Sequence, residues 1–309
     1  MNPSSPGDLP PAEDQSEQRG ASGRLSSISF SSLGLGAPLA EAVLSLGFER
    51  PTPIQAEAIP ALLSGSDLVG QSKTGSGKTA AFGLPVLERV RLEERAVQAL
   101  ILCPTRELAA QVARELRSFG TRLSGLRIVE LVGGQPARPQ RETLARGAHV
   151  AVGTPGRVAD HLGAGALDPT GIGMLVLDEA DRMLDMGFGP DVRRIIKGLP
   201  VMRQTALFSA TFPEAIEEMS RSIQRRGAVR VAGEAEVESG AESLSIRHLR
   251  IVAPNHERLH ALAEVLTRFP HETAIVFCNF KASVAEVTER LRYSGVSADR
   301  LDGDLDQFH

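Results

Sequence analysis

The chain has 309 residues and a formal net charge of −4, which argues against a protein that coats nucleic acid through bulk charge. Its length is ample for about two domains, and a composition of 42% hydrophobic and 23% charged residues excludes disorder throughout. Two cysteines exclude a disulfide scaffold and a thiolate zinc site, and no apolar run is long enough to span a membrane.

The first 28 residues are rich in Pro, Ser, Gly and Glu and show no periodic apolar pattern. This composition predicts a disordered tail. The tail has neither the basic start nor the apolar run of a secretory signal, so we expect a cytoplasmic protein.

From Phe30 onward, short apolar runs alternate with amphipathic stretches. The predicted strands are 67–70, 99–103, 127–132, 149–152, 174–177 and 204–208, and the helices between them include 78–91, 106–119 and 213–225. This alternation predicts an α/β fold with a doubly wound parallel sheet covered on both faces. Cys103 and Cys278 lie in apolar runs, which favours reduced core residues on strands.

An acidic stretch of small residues at 232–245 interrupts this pattern and is typical of a linker. The pattern then restarts with predicted helices at 256–267 and 281–292 and predicted strands at 273–277 and 298–301. We therefore expect one complete domain over 29–231, the linker 232–245, and an incomplete second domain over 246–309. A unit as small as the second is marginal by itself, so its amides should exchange rapidly.

The strongest motif is SKTGSGKT, from Ser72 to Thr79, between a predicted strand and a predicted helix. Two glycines allow the backbone amides to face an anion at the start of the helix. Lys78 can reach the β- and γ-phosphates, and the Thr79 hydroxyl can ligate Mg²⁺. The predicted nucleotide-binding residues of this loop are Ser72, Thr74, Gly75, Ser76, Gly77, Lys78 and Thr79. Ser72 stands where the general pattern has Gly, so a glycine-rich turn without function is the alternative.

Acidic residues follow the apolar run 174–177 directly, in the order Asp178, Glu179, Ala180, Asp181. Acids at the carboxyl edge of a sheet can hold Mg²⁺, mostly through water, and orient an attacking water. By itself such a tetrapeptide is more often a solvated turn, but with the phosphate loop upstream it indicates a nucleoside triphosphatase. The predicted catalytic residues are Lys78, Asp178 and Glu179, with Thr79 and Asp178 on the metal.

Together these two motifs resemble those of the DEAD-box RNA helicases of superfamily 2, and the resemblance runs from Phe30 to Gln307. It implies a RecA-like ATP-binding lobe followed by part of a second RecA-like lobe, with ATP and Mg²⁺ as cofactors. The segment 47–55 resembles the family's Q motif, which implies that Gln55 reads the adenine edge while Phe30 stacks on the ring.

Three further segments, 104–109, 133–134 and 154–157, match the family's RNA-contacting motifs, and each follows a predicted strand. The resemblance implies sequence-independent RNA contacts for Pro104, Thr105, Arg106, Glu107, Gly133, Gly134, Thr154, Pro155, Gly156 and Arg157. It also implies that Asp181, Ser209 and Thr211 couple nucleotide state to RNA binding. Taken singly, each segment is equally a turn or a helix cap.

Several stretches, including the one around Lys73 and the run 178–188, resemble a bacterial branch of the family that acts on large-subunit ribosomal RNA. That resemblance implies a monomer that remodels structured RNA, with ribosomal assembly particles as partners. The separate RNA-binding domain that selects the target in this branch is not in the chain.

The second lobe departs from the family pattern. Segments 275–279 and 301–307 resemble its first two motifs, with Asp302 where His is common, and the arginine finger expected beyond them is absent. Since such an arginine is worth roughly 10³–10⁵ in rate, we expect the chain to bind ATP, hydrolyse it poorly and not unwind duplexes. The alternatives are a nucleotide- and RNA-binding fragment without turnover, and a DNA-directed helicase of the same superfamily. Phe30 with Gln55 and the acidic motif Asp178–Asp181 argue against the second.

Overall fold

The computed structural model describes residues 28–72, 75–232, 249–269 and 271–303. Almost all of the predicted tail and of the predicted linker lies outside the described residues. The chain forms two compact units, Met1–Val237 and Glu238–His309. No helix among the described residues combines the length and the apolar character needed to cross a bilayer.

The first unit alternates helices and strands along the chain. The helices are α1 Ala37–Ser45, α2 Pro53–Leu63, α3 Lys78–Arg89, α4 Arg106–Phe119, α5 Ala137–Ala145, α6 Pro155–Gly163, α7 Ala180–Asp185, α8 Gly189–Gly198 and α9 Glu214–Ile223. The strands are β1 Leu68–Gln71, β2 Ala99–Leu102, β3 Ile128–Leu131, β4 Val150–Gly153, β5 Met174–Leu177, β6 Gln204–Ser209 and β7 Val229–Ala232. A 3₁₀ turn at Phe30–Leu33 precedes α1.

These strands form one seven-stranded sheet in the order β3-β4-β2-β5-β6-β1-β7, and every neighbouring pair is parallel. All strand ends therefore meet at one carboxyl edge. Alternate side chains point to opposite faces, as β2 shows: Ile101 packs in one hydrophobic cluster, and Leu100 and Leu102 pack in the other. Both faces are covered, which confirms the predicted doubly wound α/β fold.

Helix α4 illustrates why the amphipathic stretches fold as they do. Its buried residues are Ala109, Val112, Ala113, Leu116 and Phe119, a spacing of three and four that makes one apolar stripe. The Thr105 hydroxyl accepts a hydrogen bond from the Leu108 amide at 3.2 Å and caps the first turn. The helix therefore begins directly after the loop that follows β2, with Thr105 as its N-cap.

The six predicted strands of the first unit form within one or two residues of their expected bounds. Strand β7 was not predicted, because it is a four-residue edge strand interrupted by Arg230, and it exists only through its pairing with β1. Its last residue, Ala232, lies in what the sequence assigned to the linker. Two predicted helices are shorter than expected: α3 ends at Arg89 and α9 covers Glu214–Ile223.

The second unit contains helices α10 Arg258–Arg268 and α11 Lys281–Tyr293. The predicted strands at 273–277 and 298–301 are wrong, since no strand is formed at these residues. Ile275 is 76% and Phe277 90% exposed, because an apolar run becomes a strand only beside a partner that shares its hydrogen bonds. Cys103 is buried just after β2, but Cys278 is partly exposed and outside any strand, so its predicted core position is also wrong.

Candidate functional site

The sheet order divides the carboxyl edge into two halves. The loops after β5, β6 and β1 are neighbours, and so are the loops after β3, β4 and β2. The first group carries the predicted nucleotide and coupling residues, and the second carries the predicted RNA-contacting residues. Strands β2 and β5 join the halves, and the Asp178 amide donates to the Leu102 carbonyl at 2.9 Å.

The phosphate loop connects β1 to α3. Gly75 and Gly77 have φ of +82° and +86°, the left-handed region that favours glycine, and α3 starts at Lys78. Lys78 is buried, and its Nζ donates to the Ser72 carbonyl at 3.0 Å, while the Ser72 and Ser76 hydroxyls bond each other. Thr79 is half-buried in the first turn. Thr74, like Lys73, lies outside the described residues.

Gln55 lies beneath this loop and is 1% exposed. Its Nε2 donates to the Gly77 carbonyl at 3.0 Å, and its Oε1 accepts from the Thr52 amide at 2.9 Å. The Thr52 hydroxyl donates to the Ser76 carbonyl at 2.9 Å. These contacts were missed by the sequence analysis, although Thr52 and Gln55 have the spacing of a capping box. The side-chain amide of Gln55 retains one further donor position and one further acceptor position. Its contact with adenine stays a prediction.

Phe30 is 1% exposed and belongs to the hydrophobic core. Its ring lies edge-on to Phe48, with centroids 6.2 Å apart and planes at 84°. The structure therefore gives Phe30 a packing role. Stacking on adenine would require one face of the ring to be uncovered, and this role also stays a prediction.

Asp178 follows β5 and is 3% exposed. Among the described residues its Oδ1 has no hydrogen-bond partner. Burial raises the pKa of Asp178 to about 6, against the opposing effect of Lys78 and with a further increase from Glu179. A buried carboxylate oxygen without a partner, beside a loop that carries Lys78 and Thr79, fits the oxygen ligands that Mg²⁺ prefers.

Glu179 is the one non-glycine residue with positive φ in the part of the chain that the structure describes, at φ +52° and ψ +54°. Its side chain is 6% exposed, and its Oε2 accepts a hydrogen bond from Arg182 Nη1 at 2.9 Å. A left-handed glutamate costs on the order of 1 kcal/mol or more. The strain is located at the residue predicted to orient water.

Ser209, the last residue of β6, connects three loops of this half. Its carbonyl accepts from the Ser72 amide at 3.1 Å, and its hydroxyl accepts from the Asp181 amide at 3.3 Å. The same hydroxyl donates to the Thr211 carbonyl at 2.7 Å. Asp181 Oδ2 accepts from the Thr211 amide and hydroxyl. The three predicted coupling residues are thus brought together, and the link to Ser72 had no sequence signal.

Hydrogen bonds oppose burial at Asp181. Burial raises the pKa of its carboxyl, but hydrogen bonds from Thr211 and the Arg182 amide outweigh burial and lower the pKa below its ordinary value. The pKa of Asp178 is therefore raised and the pKa of Asp181 lowered from the ordinary value, although the two residues are only three positions apart.

The other half of the edge joins the loops after β2, β3 and β4. The Arg106 guanidinium lies against Gly134, which has φ +71° and no side chain to obstruct it. Arg157 Nη1 donates to the Gln135 carbonyl at 2.9 Å. Arg106, Glu107 and Gly134 are exposed, Thr105, Gly133, Gly156 and Arg157 are half-buried, and Pro104, Thr154 and Pro155 are buried. Those last three side chains support the loops rather than line the surface.

Comparison with known proteins identifies one family. The DEAD/DEAH box helicase family model matches residues 52–219. The chain is 44% identical over 279 residues to the ATP-dependent RNA helicase DeaD of Klebsiella pneumoniae, covering 90% of this chain and 43% of that protein. It is 43% identical over 262 residues to the ATP-dependent RNA helicase DbpA of Escherichia coli, covering 85% and 56%. The chain thus spans about half the length of the curated relatives it matches.

Solved structures show the same similarity. A DEAD box protein from Methanococcus jannaschii superposes with a TM-score of 0.64 at 35% identity, covering 90% of this chain and 74% of that one. Saccharomyces cerevisiae Dbp5, in a structure with Gle1 and IP6, superposes with a TM-score of 0.67 at 30% identity, covering 90% and 69%.

Proposed function

The chain belongs to the DEAD/DEAH box helicase family, and on that premise we propose that it is an RNA-stimulated ATPase that remodels structured RNA. The observation that carries the proposal is the division of one sheet edge into two adjoining halves. One half has a phosphate loop with two buried acids, and the other has two arginines beside exposed loop backbone. Ligands of doubly wound folds bind at this edge.

For the nucleotide half, we propose that Lys78 contacts the β- and γ-phosphates of ATP. Thr79 and Asp178 hold Mg²⁺, largely through water, and Glu179 orients the attacking water. Bound Mg²⁺ supplies charge neutralisation to the phosphates. Gln55 and Phe30 face the adenine in this proposal: Gln55 uses its remaining donor and acceptor positions, and one face of the Phe30 ring must become uncovered.

For the RNA half, we propose that Arg106 and Arg157 bond to phosphates while the backbone around Gly133, Gly134 and Gly156 approaches the sugar-phosphate chain. Such contacts position a strand without reading bases. Because a few arginines suffice, the net charge of −4 does not oppose RNA binding. We also propose that the protein works as a monomer in the cytoplasm, where ATP and RNA are both present. Ribosomal assembly particles remain a proposed target.

The test is to measure phosphate release with and without RNA, together with separate ATP and RNA binding. Lys78→Ala should abolish ATP binding, and the exposed Lys197→Ala serves as its matched control. Arg106→Ala and Arg157→Ala should remove RNA stimulation and leave ATP binding intact. Absence of ATP binding by the parent chain would overturn the proposal, and equal stimulation by DNA would favour a DNA-directed helicase.

A second candidate function is nucleotide and RNA binding with little turnover. Within residues 249–269 and 271–303 the second unit forms helices but no strand, so these ranges form no second sheet edge. Tight binding of both ligands without RNA-stimulated phosphate release would favour this candidate.

A further inference from the structure

Glu179 presents an unusual combination of backbone and side-chain constraints. Its backbone is in the left-handed region, and its side chain is 6% exposed. Among the described residues, only the guanidinium of Arg182 bonds its carboxylate, through Oε2 at 2.9 Å, so Oε1 keeps its acceptor positions. One oxygen is therefore held and the other is available to water.

Arg182 is well placed to hold this oxygen. It lies one turn along α7, three residues after Glu179, and its side chain is 59% exposed. Its backbone amide donates to Asp181 Oδ1 at 3.0 Å, which fixes the start of the side chain. The guanidinium thus extends from the helix surface back over the buried carboxylate.

This ion pair differs from the solvent-exposed ion pairs of the first unit and resembles Arg225–Asp67, where the carboxylate side chain is 2% exposed. In the Arg91–Glu94 pair, also three residues apart, the side chains are 66% and 41% exposed, and such solvated pairs contribute little. The Glu179 carboxylate is largely desolvated, so its orientation depends on the one donor that reaches it.

We propose that Arg182 is a positioning residue, which fixes Glu179 Oε2 so that Oε1 faces the water to be oriented. This inference rests on the proposed ATPase function and adds to it a residue outside the phosphate loop and the four acidic-motif positions. Arg182 itself touches neither phosphate nor metal in this scheme. Its removal should therefore lower the rate of the chemical step and leave nucleotide affinity unchanged.

The first measurement is kinetic, by single-turnover ATP hydrolysis with saturating RNA. Arg182→Gln should lower the hydrolysis rate constant roughly 10-fold, part of the contribution of a general base, with the ATP dissociation constant within about twofold of the parent. Arg182→Lys should recover part of the rate. Arg91→Gln, the matched control, should have no effect. In a Glu179→Gln background, Arg182→Gln should cause no further loss, because the two residues act as one unit.

The second measurement does not depend on turnover. Crystal structures of the nucleotide-free parent and Arg182→Gln chains should show the Glu179 carboxylate displaced in the variant only. An unchanged carboxylate, an unchanged rate, or an equal loss in the Glu179→Gln background would overturn the inference. A parent chain without hydrolysis would instead count against the ATPase proposal, and the crystal comparison would still decide the role of Arg182.

Discussion

The backbone amide and the hydroxyl of Thr211 both donate to one oxygen of Asp181, each at 2.9 Å. This single carboxylate oxygen therefore joins the loop after β6 to the loop after β5. The first prediction concerns this junction. Thr211→Val should remove one of the two bonds, lower the free energy of unfolding by about 0.5–1.5 kcal/mol, and weaken RNA stimulation without changing ATP affinity.

The measurement is urea unfolding combined with RNA-stimulated phosphate release. The pKa of Asp181 is lowered in the fold, so its contribution to stability is present above the unfolded pKa and is lost as pH falls through the folded pKa. Thr211→Val should reduce this acid sensitivity. Identical acid profiles for parent and variant would contradict the assignment.

Asp178 leads to the opposite expectation. Its folded pKa, about 6, lies above the ordinary value of 3.8, so stability falls as pH rises between these values and stays low above them. Asp178→Asn should be more stable than the parent at pH about 8, by up to about 3 kcal/mol, and equal near pH about 4. Unfolding is measured without Mg²⁺ or nucleotide, with the exposed Asp185→Asn as control. A variant less stable at both pH values would refute the prediction.

Gln55 should matter for stability as well as for nucleotide binding. Gln55→Ala removes two hydrogen bonds, one to the Gly77 carbonyl, which keeps its bond from the Ala81 amide, and one from the Thr52 amide; their loss should cost about 1–3 kcal/mol. ATP affinity should fall at the same time, because the phosphate loop loses its support. Gln111→Ala removes an exposed bond to Glu115 and should change neither quantity. Chemical denaturation and a fluorescent nucleotide titration measure both effects.

Substitution of two glycines with similar backbone angles can distinguish the effect of backbone strain from the effect of a collision in the site. Gly125 and Gly134 have φ of +88° and +71°, so alanine at either should cost on the order of 1 kcal/mol. A Cβ at Gly125 meets nothing within 4 Å, whereas a Cβ at Gly134 would collide with the Arg106 guanidinium. Gly134→Ala alone should therefore weaken RNA binding several-fold, measured by fluorescence anisotropy. Equal RNA affinities for the two variants would disprove the placement of Arg106.

The fifth prediction is that amides at 273–278 exchange rapidly. No strand is formed there and the apolar side chains are exposed, so the backbone has no ladder to protect it. Amides of β2, at Ala99–Leu102 between β4 and β5 inside the sheet, should exchange slowly in the same sample. Native-state hydrogen exchange followed by mass spectrometry distinguishes the two segments. Slow exchange at 273–278 would show that these residues are paired.

Most strands of the first unit were predictable because each is a short apolar run that can be recognised from its own residues. β5, at Met174–Leu177, was predicted with its observed bounds. β7 was not, because Val229–Ala232 has an exposed Arg230 and depends on β1 as a partner. The strand predicted at 273–277 is the opposite case: its composition suits a strand, but no adjacent strand pairs with it. Local pattern predicts a strand only when the fold supplies the adjacent one.

Local sequence pattern was enough to place the phosphate loop, the four acidic-motif positions, and the loops of Arg106 and Arg157 at strand ends. The tertiary structure groups these loops, because the order β3-β4-β2-β5-β6-β1-β7 arises from packing between segments far apart in the chain. It also decided that Gln55 supports Gly77, that Ser209 bonds Ser72, and that Arg182 holds Glu179. Hydrogen-bond partners of buried groups are set by spatial neighbours, which local periodicity does not encode.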